Sequence, residues 1–203
     1  MKPNYPPVSS NKEKYDAYHA QMDRLKLARD HGFFLEGIFI LYAMLEDRLS
    51  SFLFHAGVTN NTLGKISTNE LVKPHLELIF ALPDNKNIQL RHISVKINLL
   101  KAMLDWSMRY TVDESSTTYP DVLYKQLNRT ARKDEMIPIL GAIPDWCARR
   151  NELVHALLNK KLDNQEELLR SLVDEGYVLY RKLDNFVRSF KVRNNIRKQF
   201  NIQ

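Results

Sequence analysis

The sequence predicts an all-α fold, a single-domain bundle of about five to seven helices. Three observations carry this. Glycine is sparse and scattered, six in 203 residues, while Leu, Lys, Arg and Glu abound, which favours helices over a turn-rich β fold. Apolar residues recur at helical spacing through most of the chain, and no stretch alternates as a half-buried strand would. With 44% apolar and 27% charged residues, a chain of this length can bury one sizeable core.

Three regions follow from composition. Residues 1–10, "MKPNYPPVSS", form a Pro-rich tail without periodicity. Residues 11–190 make the helical domain, and 191–203 a basic C-terminal tail. Within the domain, 11–30 reads as a polar helix carrying Tyr15, Tyr18, Met22 and Leu25. The next helix covers about 31–55. Its first half is apolar nearly all round, the mark of a central buried element, and Gly57 is placed to cap it. "NELVKPHLELIFAL" (69–82) predicts a shorter helix interrupted near Pro74, followed by a turn at 83–87. In 88–110, Ile93, Ile97, Leu100 and Leu104 share one helical face. A polar loop at 111–120 leads to a short helix over 121–133. The pattern of 134–160 is helical, but Pro144 predicts a break or a fresh start there. The last helix, 164–190, is expected to bury Leu168, Leu172, Leu179, Leu183, Phe186 and Phe190. Its acidic start (Glu166, Glu167) and basic end (Arg188, Lys191) complement the helix dipole.

Several function classes drop out. The lone Cys147 excludes an internal disulfide or a thiolate cluster, suits a reducing compartment, and reads as a small buried residue. The six histidines form no i,i+4 pair with a partner acid, so no metal is expected. No phosphate-cradling glycine loop or dinucleotide fingerprint is present, so no cofactor is expected either. The first ten residues lack the apolar core of a signal peptide. The longest apolar run, 33–45, carries Glu36 and is too short to span a bilayer. A soluble, cytoplasmic protein with no membrane partner is expected. The net charge of +6, from 30 Lys+Arg against 24 Asp+Glu, is compatible with a polyanionic partner without demanding one.

Residues 147–161, "CARRNELVHALLNKK", hold the sequence's one serious violation of pattern. At about 100° per residue, with Arg150 at zero, Trp146, Leu153, Val154, Leu157 and Leu158 all fall within about 80° of it. Arg150 therefore stands in the middle of the apolar stripe. Asn151 and His155 share the polar edge, one turn apart, while Asp145, Arg149 and Glu152 take the solvated side. A buried, unpaired arginine costs several kcal/mol. Arg150 must then pair internally, with Glu36 or Glu46 of the central helix, or face a phosphate in a cleft or subunit interface.

"RNELVHA" (150–156) resembles the signature of the HEPN superfamily, small all-helical domains many of which are RNA-cleaving toxins or defence proteins. Their pattern is an arginine, four to six residues, then a histidine, with a polar residue directly after the arginine. Arg24 with His31, Arg48 with His55 and Arg149 with His155 also meet the loose spacing. Arg24 and Arg48 are followed by leucine and Arg149 by another arginine; Arg150 alone is followed by a favoured polar residue, Asn151.

The resemblance implies a metal-independent endoribonuclease in which the RNA's own 2′-hydroxyl attacks the adjacent phosphate, leaving a 2′,3′-cyclic phosphate. His155 would move protons near neutral pH, Arg150 would neutralise charge on the phosphoryl oxygens, and Asn151 would orient His155 or bind the phosphate. Arg149, Lys160 and Lys161 would contact RNA, and Glu46 would support the site from behind. Positions five apart lie about 140° from each other, so a homodimer with a composite active site is expected. RNA is the implied substrate, and a toxin or phage-defence role with an antitoxin partner is an expectation of the same kind. Some toxins of the superfamily carry, two residues after the histidine, a tyrosine modified by a nucleotidyltransferase antitoxin. Leu157 stands there instead, which argues against that route.

Other readings remain open at this level. The domain could be a non-catalytic module binding RNA, a nucleotide or a protein, with Arg150 serving an ion pair. Glu46 could be ion-paired or solvated. "VRSFKVRNNIRKQF" (187–200), with five basic residues and no acid, could track an RNA backbone with Phe190 and Phe200 as stacking groups, or be a basic helix end with a tail.

Overall fold

The computed structural model describes residues 11–59, 66–81, 90–130, 132–159 and 164–202. Among these the chain forms α1 (Asn11–Asp30), α2 (Phe34–His55), α3 (Lys73–Phe80), α4 (Ile93–Arg109), α5 (Tyr119–Asn128), α6 (Met136–Asn159), α7 (Gln165–Lys191) and the short α8 (Ile196–Gln199). The one strand-like pairing among the described residues is an isolated bridge between Thr59 and Ile66. The fold is an all-α bundle, and no helix of the described residues is long and apolar enough to cross a membrane.

The all-round apolar α2 becomes the axis of the bundle, buried from Phe34 to Leu53 on every side but one. Parallel to it runs α7. Gly37 faces Val173, Arg48 pairs with Asp184, and Phe52 stacks on Phe186 and packs tilted against Phe190, at 5.5 and 4.5 Å between ring centres. In the antiparallel sense, α1 lies across α2, with Tyr18 beside Arg48 and Arg24 paired to Glu36. On α4, the expected Ile93, Ile97, Leu100 and Leu104 are all buried.

Helix ends leave carbonyls without intrahelical partners, and the short elements close them. The buried Tyr119 hydroxyl donates to Ala56 O at the end of α2 (2.8 Å). Gln126 Nε2 donates to Phe190 O and Val192 O at the end of α7 (2.5 and 3.0 Å). Gly57, at φ +78°, ends α2 in the left-handed conformation that glycine tolerates best. A Cβ there would also lie 2.5 Å from Ile202 Cδ1, so this glycine makes room for the last residues of the chain.

Three expectations are corrected. The helix over 136–159 continues through Pro144 without a break. Proline removes one backbone hydrogen bond there, but Leu140, Ile143 and Trp146 on both sides are fully buried and hold the segment helical. Leu168 is 46% exposed; Leu169 takes the core position instead. Residues 196–202 pack inward, with Ile196, Phe200 and Ile202 buried. Phe190 is buried, as its spacing on the last helix places it, and Phe200 is buried as well, so the open alternative in which these rings stack on RNA bases has no exposed face to use.

The seating of α6 on α7 depends on one glycine. Trp146 is fully buried and donates its indole N–H to Leu172 O at 2.8 Å. Its ring lies where a Cβ on Gly176 would stand, 2.7 Å from Cζ2. Alanine is intrinsically better than glycine in a helix by about 1 kcal/mol, yet Gly176→Ala should destabilise the protein by about 1–3 kcal/mol through this clash. A denaturation midpoint in urea equal to or above wild type would contradict the packing described.

Candidate functional site

The Trp146 anchor fixes the rotation of α6, and one turn later the stripe changes character. Leu153, Val154 and Leu157 are only half-buried, and so is Arg150. Its guanidinium lies over two rings of α2, 4.4 Å from the centre of Tyr42 and 5.2 Å from that of Phe39. Its Nη1 donates to Asn151 Oδ1 at 2.7 Å. Its Nε is buried and has no hydrogen-bond partner among the described residues.

The carboxylates expected to neutralise Arg150 are engaged elsewhere. Glu36 pairs with Arg24, and Glu46 accepts from Lys96 Nζ at 2.8 Å. Glu46 still acts on the site through Tyr42, whose phenol is pushed up by burial first and then by Glu46 and Cys147, with Arg150 pulling the other way. Burial also pushes the Cys147 thiol up to about 11, so it stays protonated at neutral pH and is no nucleophile as it stands.

Asn151 and His155 are both exposed. The exposure of His155 agrees with the polar edge that the helical wheel assigns it, and its backbone carbonyl accepts from Asn159 Nδ2 at 3.0 Å. Arg149 faces away from this edge and pairs with Glu175 of α7. Beside it, Leu153, Ala156, Leu168 and Leu172 line an apolar groove of about 300 Å³. Arg150, Asn151 and His155 lie outside that groove. Lys160 and Lys161 lie outside the described residues. The structure thus brings Arg150 and Asn151 into contact, sets His155 one turn on, and places Glu46 behind Tyr42.

The sequence reading did not single out Phe39 and Tyr42. The signal available was an aromatic pair at i,i+3 within an apolar helix, and such pairs serve equally well inside a core. Phe39 is 51% exposed. With Leu35 it makes an apolar surface beside the arginine.

Arg48 and His55, the other arginine–histidine pair on a buried helix, have the opposite environment. Arg48 is 6% exposed. It donates to Asp184 (3.2 Å), Asp47 (3.0 Å) and the Tyr18 hydroxyl (2.7 Å), and lies 4.0 Å from the Tyr18 ring centre. Arg188 closes on Asp184 from the other side at 2.9 Å. Sealed in this way, Arg48 clamps three helices, with its charge already met by two carboxylates.

No protein family, no curated protein and no solved structure matches this chain.

Burial, then the charges of Lys191, Lys14, Arg197 and Arg48, holds the His55 imidazole down from 6.5 to about 4. The unfolded chain therefore binds this proton more readily than the folded one. The stability contributed is complete above pH 6.5 and is lost as pH falls towards about 4. His55→Gln should flatten the decline of melting temperature across that window. A wild-type profile in the variant would show that His55 titrates alike in both states.

Proposed function

We propose that the protein is a metal-independent endoribonuclease of HEPN type. The observation that carries this reading is the guanidinium of Arg150. It sits in an apolar stripe, half-buried, without a carboxylate partner among the described residues, beside an exposed asparagine and histidine. A cation held in this way keeps its charge available for an anion, and the fork of a guanidinium matches phosphate oxygens. The resemblance of "RNELVHA" to the HEPN signature supplies the reaction.

In that reaction the 2′-oxygen of one nucleotide bonds to the adjacent phosphorus and the P–O5′ bond breaks. One proton leaves the 2′-hydroxyl and one must reach the departing 5′-oxygen. His155 accepts or donates these protons. Arg150 neutralises the charge that builds on the non-bridging oxygens, and Asn151, bonded to Arg150, sets the direction of its fork. Tyr42 and Phe39 hold the guanidinium from behind by cation–π attraction. The products are a 2′,3′-cyclic phosphate and a 5′-hydroxyl.

A homodimer completes the site. Arg150 and His155 point about 140° apart on α6, so one copy does not focus both on a single phosphate. Leu35 and Phe39 provide an exposed apolar face next to Arg150, suited to a two-fold contact that brings two Arg/His sets to one cleft. A cytoplasmic toxin or phage-defence role, with an antitoxin protein as partner, follows from the same resemblance.

RNA cleavage in EDTA tests the reaction. Wild type should cut single-stranded RNA to cyclic-phosphate ends, and His155→Ala should lose about 10²-fold or more while its melting temperature stays within ~2 °C of wild type. Activity that needs an added metal, or that survives His155→Ala unchanged, would refute it. An alternative, non-catalytic reading rests on the two ring contacts of Arg150, which also describe a simple clasp between α6 and α2; it expects no cleavage at all.

Dimerisation has its own measurement. Phe39→Glu should shift the protein from dimer to monomer in light scattering and reduce cleavage in step. A protein that is monomeric before substitution, yet active, would remove the composite site from the mechanism.

A further inference from the structure

The first helix is joined to the bundle differently from its neighbours. Among the described side chains of α1 only Leu25 and Ala28 are buried, with Tyr18 and Met22 half-buried. In α2, thirteen of 22 residues are buried. The remaining ties of α1 are charged, and they run in one direction. Lys14 meets Asp47 (3.3 Å) and Arg24 meets Glu36, both on α2, while Arg29 meets Asp174 of α7 (2.5 Å). In each pair the cation belongs to α1 and the carboxylate to the rest of the bundle. Between these pairs Leu25 fills the space that Gly37 leaves, its Cδ1 3.4 Å from where a Cβ would stand. α1 thus lies in a trough with an apolar floor and acidic edges.

None of these ties is strong. Every side chain in the three ion pairs is more than a third exposed, so salt screens them and each contributes little to stability. The second half of α1 also stands off from α7. A groove of about 590 Å³ opens there, lined by Met22, Lys26 and Asp30 on one side and Arg170, Asp174 and Tyr177 on the other. The Arg29–Asp174 pair bridges it. Nearer the start of α1, the Tyr18 hydroxyl accepts from Arg48 Nε at 2.7 Å, but Arg48 keeps Asp47 and Asp184 when that bond breaks. The link to α2 is short and exposed, residues 31–33 with Gly32 at φ +75°. A helix of this length is marginal in water by itself, so α1 unravels once it leaves its seat.

We propose that α1 is a strap, seated in this trough largely by charge, that lets go as a unit about residues 31–33 while α2, α6 and α7 stay folded. The seams that hold those three helices together are apolar, from Gly37 against Val173 to Phe52 against Phe190, and Trp146 against Gly176. Screening weakens the pairs of the strap and leaves such contacts in place. Local opening belongs to the parts of a fold with the least apolar burial, and α1 fits that description. The open form presents the trough with Glu36 and Asp174 freed of their cations and Asp47 freed of Lys14. Its complement is a helix with basic residues at the spacing of Lys14, Arg24 and Arg29, and α1 is that helix in the closed form. None of the three pairs includes Arg150, so the strap stands independently of the proposed reaction.

The test is amide hydrogen exchange of the full chain near neutral pH, read at Leu25 and Ala28 of α1 against Leu179 and Leu183 of α7. The α1 amides should exchange through an opening that leaves α7 protected. Arg24→Gln/Arg29→Gln, at two exposed positions, should speed exchange in α1 by about 2–30-fold, the range that losing two exposed ion pairs implies, and leave α7 unchanged. Raising sodium chloride from about 0.05 to about 0.5 M should speed α1 in the wild type, and much less in the double variant, because the screened pairs are already gone. Lys26→Gln removes a groove-lining charge outside the three pairs and should leave the α1 rate where it was. Exchange of α1 only together with α7, an equal rise in both helices, no response to the double substitution or to salt, or the same acceleration in Lys26→Gln would each overturn the proposal.

Discussion

The parallel packing of α2 on α7 is the contact on which the other placements depend. An all-round apolar helix cannot be left at a surface without exposing a large apolar area. α7 covers one side of α2 along its whole length, from Gly37 against Val173 to Phe52 against Phe190. The Arg48–Asp184 pair sits midway along this seam. A buried ion pair adds little net stability over apolar packing, but losing one partner leaves an uncompensated charge. Its effect here is on register, because a slide of either helix by one turn would strand both charges. α6 is then seated against the same pair, through Trp146 on Gly176 and Arg150 on Tyr42.

Two arginine–histidine pairs that meet the same loose pattern, one on α2 and one on α6, show how it acquires different chemistry. Arg48 meets two carboxylates and a phenol and becomes structural. Arg150 meets two aromatic faces and a neighbouring amide, so its charge is cushioned without being neutralised. Aromatic faces attract a cation while donating no formal negative charge. This separates a cation that holds a fold together from one still able to bind an anion. Six residues separate Arg48 from His55 and four separate Arg150 from His155; both meet the loose pattern, which carries no information about which fate follows.

Much of the bundle was legible because helical periodicity is local. Ile93, Ile97, Leu100 and Leu104 are buried where their spacing placed them, and Asn151 and His155 stand on the polar edge of α6. The misjudged elements share a cause, which is that burial is set by neighbours distant in sequence. Pro144 stays helical because the core grips both flanks. Leu168 yields to Leu169 where α7 runs beside the half-buried end of α6. The basic C-terminal segment looked like a tail, since its charges are dense in sequence, yet Ile196, Phe200 and Ile202 fit a space that Gly57 leaves open.

The sequence by itself determined the all-α class, the central position of α2, the helix carrying Arg150, and the polar edge shared by Asn151 and His155. Each is a property of residue type and spacing along one helix. Only the tertiary structure decided which carboxylate each cation meets. Glu36 and Glu46 are near enough on α2 to serve Arg150 by pattern, but α1 brings Arg24 to the first and α4 brings Lys96 to the second. Charges pair across helices according to how the helices rotate and cross, and the apolar faces set those angles collectively. That no carboxylate among the described residues meets Arg150 is therefore written in the packing of α1 and α4 as much as in its own helix.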